Sequence, residues 1–328
     1  MHARQLPGIG NAHSNSLHDS VIYRELAVNR NIAGRVEMGH QMMLEVVQSA
    51  RLCKLLESWT GEESLLQPLW DVLRLNYGHT LRSPIFPAVL SVMAYYVFCL
   101  LFTAVGLVAR RLAPHLRHYK IQASKEEPSL RAVCDCVALT IYNNVVFVLP
   151  ATVAQWYWRP AIDLPEKAPS LFELCHGVLA CLLLFDFQYF AWHLLHHRVR
   201  WLYRTFHAVH HECTVPFAWS TQYMGGWELM SVGLWTTIDP IVLHCHLLTT
   251  WTFMLLNVYL SIEDHSGYDL PWGLHHLLPR GLYGGAPHHD LHHQKPTKNF
   301  APYFCHWDKI FGTSVEATPM DKSLQASR

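Results

Sequence analysis

Charge is scarce in this sequence. Only 15% of its 328 residues are Asp, Glu, Lys or Arg, and the two signs balance at 25 each, which argues against a polyanionic partner and so against nucleic-acid binding. A cysteine framework is missing too. The nine cysteines include Cys134-Asp-Cys136 but no CxxC pair, and Cys99, Cys175, Cys181 and Cys245 lie in apolar tracts; they read as free thiols facing lipid or a reducing compartment. No Asn-x-Ser/Thr sequon, no HExxH protease motif and no HPGG haem motif occurs. The first residues lack the short apolar core of a cleavable signal peptide, so targeting is expected to fall to the first membrane span.

Long apolar runs, by contrast, are abundant. Residues 85–109 and 137–158 carry no charge, and each is long enough to cross a hydrocarbon core of about 30 Å. A third span over 174–192 contains His176 and Asp186, and an ionisable group at membrane depth marks a functional site by default. A fourth tract, 229–262, would reach about 51 Å as one helix, too long for one span and too short for two. Asp239-Pro240 near its middle is expected to break it into a hairpin that returns to its own side.

Basic residues orient these spans. Arg110, Arg111, Arg117, Lys120 and Lys125 follow the first, whereas the loop after the second sets Arg159 and Lys167 against Asp163 and Glu166. The 110–130 loop is therefore expected in the cytoplasm and the 159–170 loop outside or in a lumen. Residues 1–35 are polar and patternless and are expected to be disordered. From Met43 through Val46, Val47, Ala50, Cys53 and Trp59 apolar residues recur at helical spacing, which fits an amphipathic helix on the membrane surface or a packed structural helix.

Histidine carries the chemistry. Of 24 histidines, 16 fall between His193 and His306, and three boxes stand in order: His193-Leu-Leu-His-His197, His207-Ala-Val-His-His211 and His289-Asp-Leu-His-His293. Positions i, i+3 and i+4 of a helix share a face, so each box offers imidazoles that converge. Together they supply more ligands than one ion can use, which implies two metals. Composition alone produces some histidine pairs, and His2, His13, His18, His40, His79, His115, His118 and His176 get no such reading. With neither thiolate nor HExxH, an oxygen-activating non-haem iron pair matches better than a structural zinc module, although ligand type alone also admits zinc. Asp186 shares a face with His193 and His197 and is a candidate carboxylate for orienting a ligating imidazole, the plain alternative being a bond to a neighbouring span at Asn143 or Asn144. Asp264, Asp290 and Asp308 are placed to serve likewise.

The ordered boxes, with Glu263-Asp-His-Ser-Gly-Tyr268, Asn299-Phe-Ala-Pro-Tyr-Phe304 and His306-Trp-Asp-Lys-Ile-Phe-Gly-Thr313 around the third, resemble the fatty acid hydroxylase superfamily of membrane di-iron enzymes. The resemblance extends through Leu66-Gln-Pro-Leu-Trp-Asp71, Leu183-Leu-Phe-Asp186, Trp201-Leu-Tyr-Arg-Thr-Phe-His207 and Thr221-Gln-Tyr-Met224. It implies an all-α, multi-span helical bundle with a cytosolic histidine-lined di-metal cap over residues 65–315, preceded by an extension, 1–64, and followed by a polar tail, 316–328. Metal ligands are implied at His193, His197, His207, His210, His211, His265, His289, His292 and His293, with His196 and His288 behind them. Fatty acid 2-hydroxylases carry a further histidine four residues before the position of His265; Ser261 stands there in this chain, which leaves one ligand of the second metal unassigned.

The flanking strings narrow the resemblance to sterol-hydroxylating members. They imply a monooxygenase of the endoplasmic reticulum membrane that hydroxylates cholesterol at its tertiary side-chain carbon, C25, with two iron ions, dioxygen and electrons from a separate NADPH-linked protein. The missing haem motif agrees with an external electron donor, and cholesterol would enter from membrane lipid. A sterol C4-methyl oxidase or C5 desaturase would show the same boxes. A histidine-rich metal transporter is the alternative from another class, disfavoured by the absence of charge in the first two spans.

Overall fold

The computed structural model describes residues 64–111, 114–158, 162–279 and 281–315. Within them every regular element is helical, and extended pairing is limited to two isolated bridges, Lys120 with Tyr268 and Tyr283 with Phe304. The helix expected around 43–59, the extension apart from Ser64, and the 316–328 tail lie outside the described residues.

Helix α1 (Gln67–Leu81) starts on a proline in its first turn, where the missing N–H costs no hydrogen bond. Helix α2 (Phe86–Arg111) contains the first span. The second is continuous over Leu130–Trp158: α3 (Leu130–Asn143), a π-helical turn (Asn144–Val148) and α4 (Leu149–Trp158). The third is α5 (Leu171–Arg198), begun by a reciprocal cap in which Ser170 accepts from the Glu173 N–H and Glu173 from the Ser170 N–H. These three helices are long and apolar enough to cross a membrane. The apolar windows of the first two are only 17% buried against 50% for the third, so α5 is the central post and the others turn most of their surface to lipid. Trp156, Tyr157 and Trp158 stand exposed at the end of α4, as interfacial aromatics do.

The fourth tract is a hairpin of α6 (Gly226–Val242) and α7 (Leu247–Asp264). The break differs from expectation. Pro240 lies inside the last turn of α6, and Asp239 accepts a 2.9 Å bond from the Gln188 amide of α5 instead of opening a turn. The chain leaves the helix at Leu243–His246, with His244 left-handed at φ 52°. Proline removes only its own N–H, and bonds from Leu243 to Asp239 and from Cys245 to Pro240 carry the turn onward. Gly177 of α5 lets α7 approach, since a Cβ there would stand 2.8 Å from Thr249.

Two ends follow from these contacts. The hairpin turn lies with α1 and the 162–169 loop: His246 donates to the Lys167 carbonyl at 3.1 Å, and the Trp70 indole to that of Pro165 at 2.8 Å. The opposite end gathers the histidine boxes and the 114–128 segment, which is tied to them by Ile121 N–H to Gly267 O at 3.0 Å and by the Gln122 amide to Asp290 at 3.1 Å. All described cysteines are free thiols.

Candidate metal centre

The first box is the last turn of α5, which runs six residues past the span read from hydropathy. His193 and His197 lie one turn apart on its inner face. The second box follows a short turn, with His207 closing a π-helical turn (Tyr203–His207) and His210 and His211 in a 3-10 turn. The third is helix α8 (Gly285–Gln294), and His265 caps the end of α7.

Nine imidazoles meet in two groups. His193, His197, His207, His211 and His292 form one, and His210, His265, His289 and His293 the other; within each group the ligand nitrogens lie within 4.8 Å of one another. In α8 the sorting follows helical geometry: at 100° per residue, positions i and i+4 point nearly together while i+3 swings to the other side of the ridge, so His289 and His293 enter the second group and His292 the first. The turns of the second box divide in the opposite sense, with His207 and His211 in the first group and His210 in the second.

Which nitrogen faces inward is fixed from outside. Carbonyl oxygens only accept, so Nδ1–H donates from His193 to Phe300 O (2.7 Å), from His292 to Lys298 O (2.6 Å), from His265 to Ser261 O (2.8 Å) and from His210 to Tyr223 O (3.4 Å). His207 Nδ1 donates to the buried Glu228 carboxylate at 2.7 Å. Each of these rings therefore turns an Nε2 lone pair inward. His210 and His265 face each other that way at 3.2 Å, with no proton left to share between them. His211 Nε2 stands 3.0 Å from His207, 3.1 Å from His197 and 3.2 Å from His292, three neighbours that one N–H cannot serve. Both ring nitrogens of buried His293 lack a hydrogen-bond partner.

A cation in each group resolves the clash of lone pairs and takes one of the two orphaned nitrogens of His293. Two nitrogens bound at right angles to one ion at about 2.1 Å stand about 3.0 Å apart, close to the spacings seen. Burial, reinforced by neighbouring imidazoles, pulls His207, His265 and His292 down to about 3 and His210 to about 4, so the rings are held neutral, the form that ligates. The donor set thus fits two metal ions.

The remaining expected residues stand elsewhere. His196 turns away and stacks on Trp192, ring centroids 3.7 Å apart. His288 pairs with Asp308 at 3.3 Å; burial opposes its charge, but Asp308 and Cys305 outweigh that and raise it to about 9. Asp186 bonds neither an imidazole directly nor Asn143 or Asn144. It is fully buried and accepts the backbone N–H groups of Tyr303 (2.8 Å) and Phe304 (3.1 Å). Asp308 does the same for Phe300 and Ala301 at 2.8 and 2.9 Å. Two buried carboxylates thus pin the 300–304 segment, which presents the Phe300 carbonyl to His193. Asp290 is bonded to Gln122 and Gln294, and Asp264 to Tyr283. Ser261 bonds the Tyr303 hydroxyl at 2.8 Å, and the second group has four histidines, not five.

Glu228 was not anticipated. Its one sequence signal is an acidic residue at the head of an apolar tract.

A cavity of about 600 Å³ reaches His210, His265 and His289 of the four-histidine group, within the range of about 300–1,000 Å³ usual for small-molecule sites. Its walls come from α2, α4, α5, α6 and α7, so it lies at membrane depth, and Tyr95, Phe185, Tyr189, Met230 and Met254 make it largely apolar.

Comparison with known proteins gives a consistent picture. The sequence model of the family described as fatty acid hydroxylase matches residues 178–313. A protein of Danio rerio named cholesterol 25-hydroxylase-like protein 1, member 2, is 55% identical over 255 residues, 78% of this chain and 92% of the relative. Cholesterol 25-hydroxylase of Mus musculus is 51% identical over 266 residues, 81% of this chain and 88% of the relative. That of Homo sapiens is 51% identical over 248 residues, 76% and 90% of the two chains. No solved structure matches.

Proposed function

This chain belongs to the fatty acid hydroxylase family, and from that premise we propose that it is a sterol monooxygenase converting cholesterol to 25-hydroxycholesterol. The observation that carries the reading is the apolar cavity at membrane depth that ends on the four-histidine group. The substrate itself comes from the relatives' names.

The nine histidines would hold two iron ions. So loaded, the centre would supply activation of dioxygen; the overall hydroxylation would take two electrons from a separate NADPH-linked protein and two protons from solvent, one oxygen atom ending on the sterol and the other in water. The chain's own part is positioning. Backbone carbonyls and Glu228 fix the tautomer of five rings before metal arrives, so little reorganisation remains. The aromatic and methionine walls exclude water and take up the sterol from lipid, leaving the flexible side chain at the histidines. Because the cavity opens on the four-histidine group, the smaller ligand set is the one that meets substrate.

This reading places the enzyme in the endoplasmic reticulum membrane, with the boxes facing the cytosol, where the electron donor has access. A C4-methyl oxidase or C5 desaturase must bring the ring system to the metals, whereas the relatives' names point to the side chain. Metal transport needs a polar path across the spans, which the cavity's apolar walls do not offer. The test is expression in cells lacking sterol oxygenases with mass spectrometry of extracted sterols. A 25-hydroxylated product is expected, and a product changed only on the rings overturns the assignment.

A further inference from the structure

The cavity has two chemically different ends. His210, His265 and His289 close one of them. Its lining on α7 begins at Met254, eleven residues or about 16 Å of helix before His265, so the cavity is long enough for a rigid molecule to lie along it.

Contacts between helices set the level of the far end. Phe86 packs on Trp251, ring centroids 5.1 Å apart, and Phe147 on Trp227, 5.6 Å apart. Ser91 stands five residues beyond Phe86, which leaves it about 14 Å short of His265 along the bundle. Gln155 stands eight residues beyond Phe147, about 12 Å further from the histidine end. Both line the cavity. Among the described residues neither side chain has a hydrogen-bond partner. The other hydroxyls of that region, Thr152, Thr236 and Thr237, bond back to their own helices at 2.8, 2.9 and 2.8 Å.

Gln155 stands one residue before the exposed aromatics that end α4, at the outer end of the cavity, and its unpaired amide is open to a ligand. The complement at this end is a ligand hydroxyl, remote from the carbon presented to the histidines. We propose that Gln155, with Ser91, receives the ring hydroxyl of the sterol and thereby holds it with its side chain toward His265 and His289. This rests on the sterol reading of the same cavity. It adds a recognition site that decides which end of the molecule is oxidised.

The test compares cholesterol with cholest-5-ene, the same hydrocarbon without the hydroxyl, using full-length protein in membranes. Wild type should prefer cholesterol in kcat/KM by about tenfold or more. Gln155→Leu should lose about tenfold on cholesterol, chiefly through KM, and nothing on cholest-5-ene; Ser91→Ala, on a different helix, should lose about threefold in the same selective way. An equal loss on both sterols, or unchanged preference in both variants, overturns the assignment. If Gln155→Leu fails to accumulate, Gln155→Asn must show the selective loss or the proposal falls. Absence of sterol hydroxylation by wild type would instead defeat the underlying functional reading.

Discussion

A neutral imidazole gives a metal one lone pair, and the contact made by its other nitrogen decides where that lone pair points. Here the deciding contacts are four carbonyls and one carboxylate, and they were the least legible feature of the sequence. A carbonyl belongs to every residue, so nothing marks Phe300, Lys298, Ser261 or Tyr223. Glu228 lies 21 residues from its partner His207, beyond any local spacing rule. Asp186 shares a face with His193, but its Oδ1 accepts the Tyr303 and Phe304 N–H groups and it bonds no imidazole directly. Glu228→Leu should therefore cut iron content or activity by about 10- to 100-fold, while Glu228→Gln, which still accepts from His207, should lose less. Asp186→Asn, which keeps an acceptor for the two N–H groups, should retain iron and most activity. Metal analysis of the purified variants decides, and a large loss in Asp186→Asn alone would return that residue to a direct orienting role.

At the level of the element, the first and third boxes were legible because i, i+4 spacing is a property of a single helix. Their division into groups of five and four was not, since it depends on how α8 meets the turns after α5. The hairpin was legible from the length of its apolar tract. Its turn was displaced because Pro240 subtracts one hydrogen bond and leaves the following turn intact. The end of α5 offers a sharp comparison. His196 and His197 are adjacent, yet one stacks on Trp192 and the other faces His193 and His211. His197→Ala should abolish turnover and release metal, whereas His196→Ala should keep iron content and at least about half of wild-type activity. Equal behaviour of the two variants in paired iron and turnover assays would contradict the arrangement of the first box.

For the whole molecule, the separation of two ends was readable in the basic residues, and the fold agrees that the 114–128 segment and the histidines share one end while the 162–169 loop lies at the other. The positive charge is the argument for setting the histidine end in the cytosol. A glycosylation sequon set into the 162–169 loop on a short spacer should be modified, and one in the 114–128 segment should not; the reverse pattern by gel shift would invert the orientation.

On the proposed function, two histidine-held metals would put an atom of dioxygen onto the tail of a sterol lying in the membrane cavity. Membranes containing the chain, supplied with cholesterol, NADPH, the electron-transfer protein and isotopically labelled dioxygen, should yield 25-hydroxycholesterol carrying the label, with the yield falling when iron is chelated. Oxygen arriving from water, a sterol altered on its rings, or turnover indifferent to iron would contradict it.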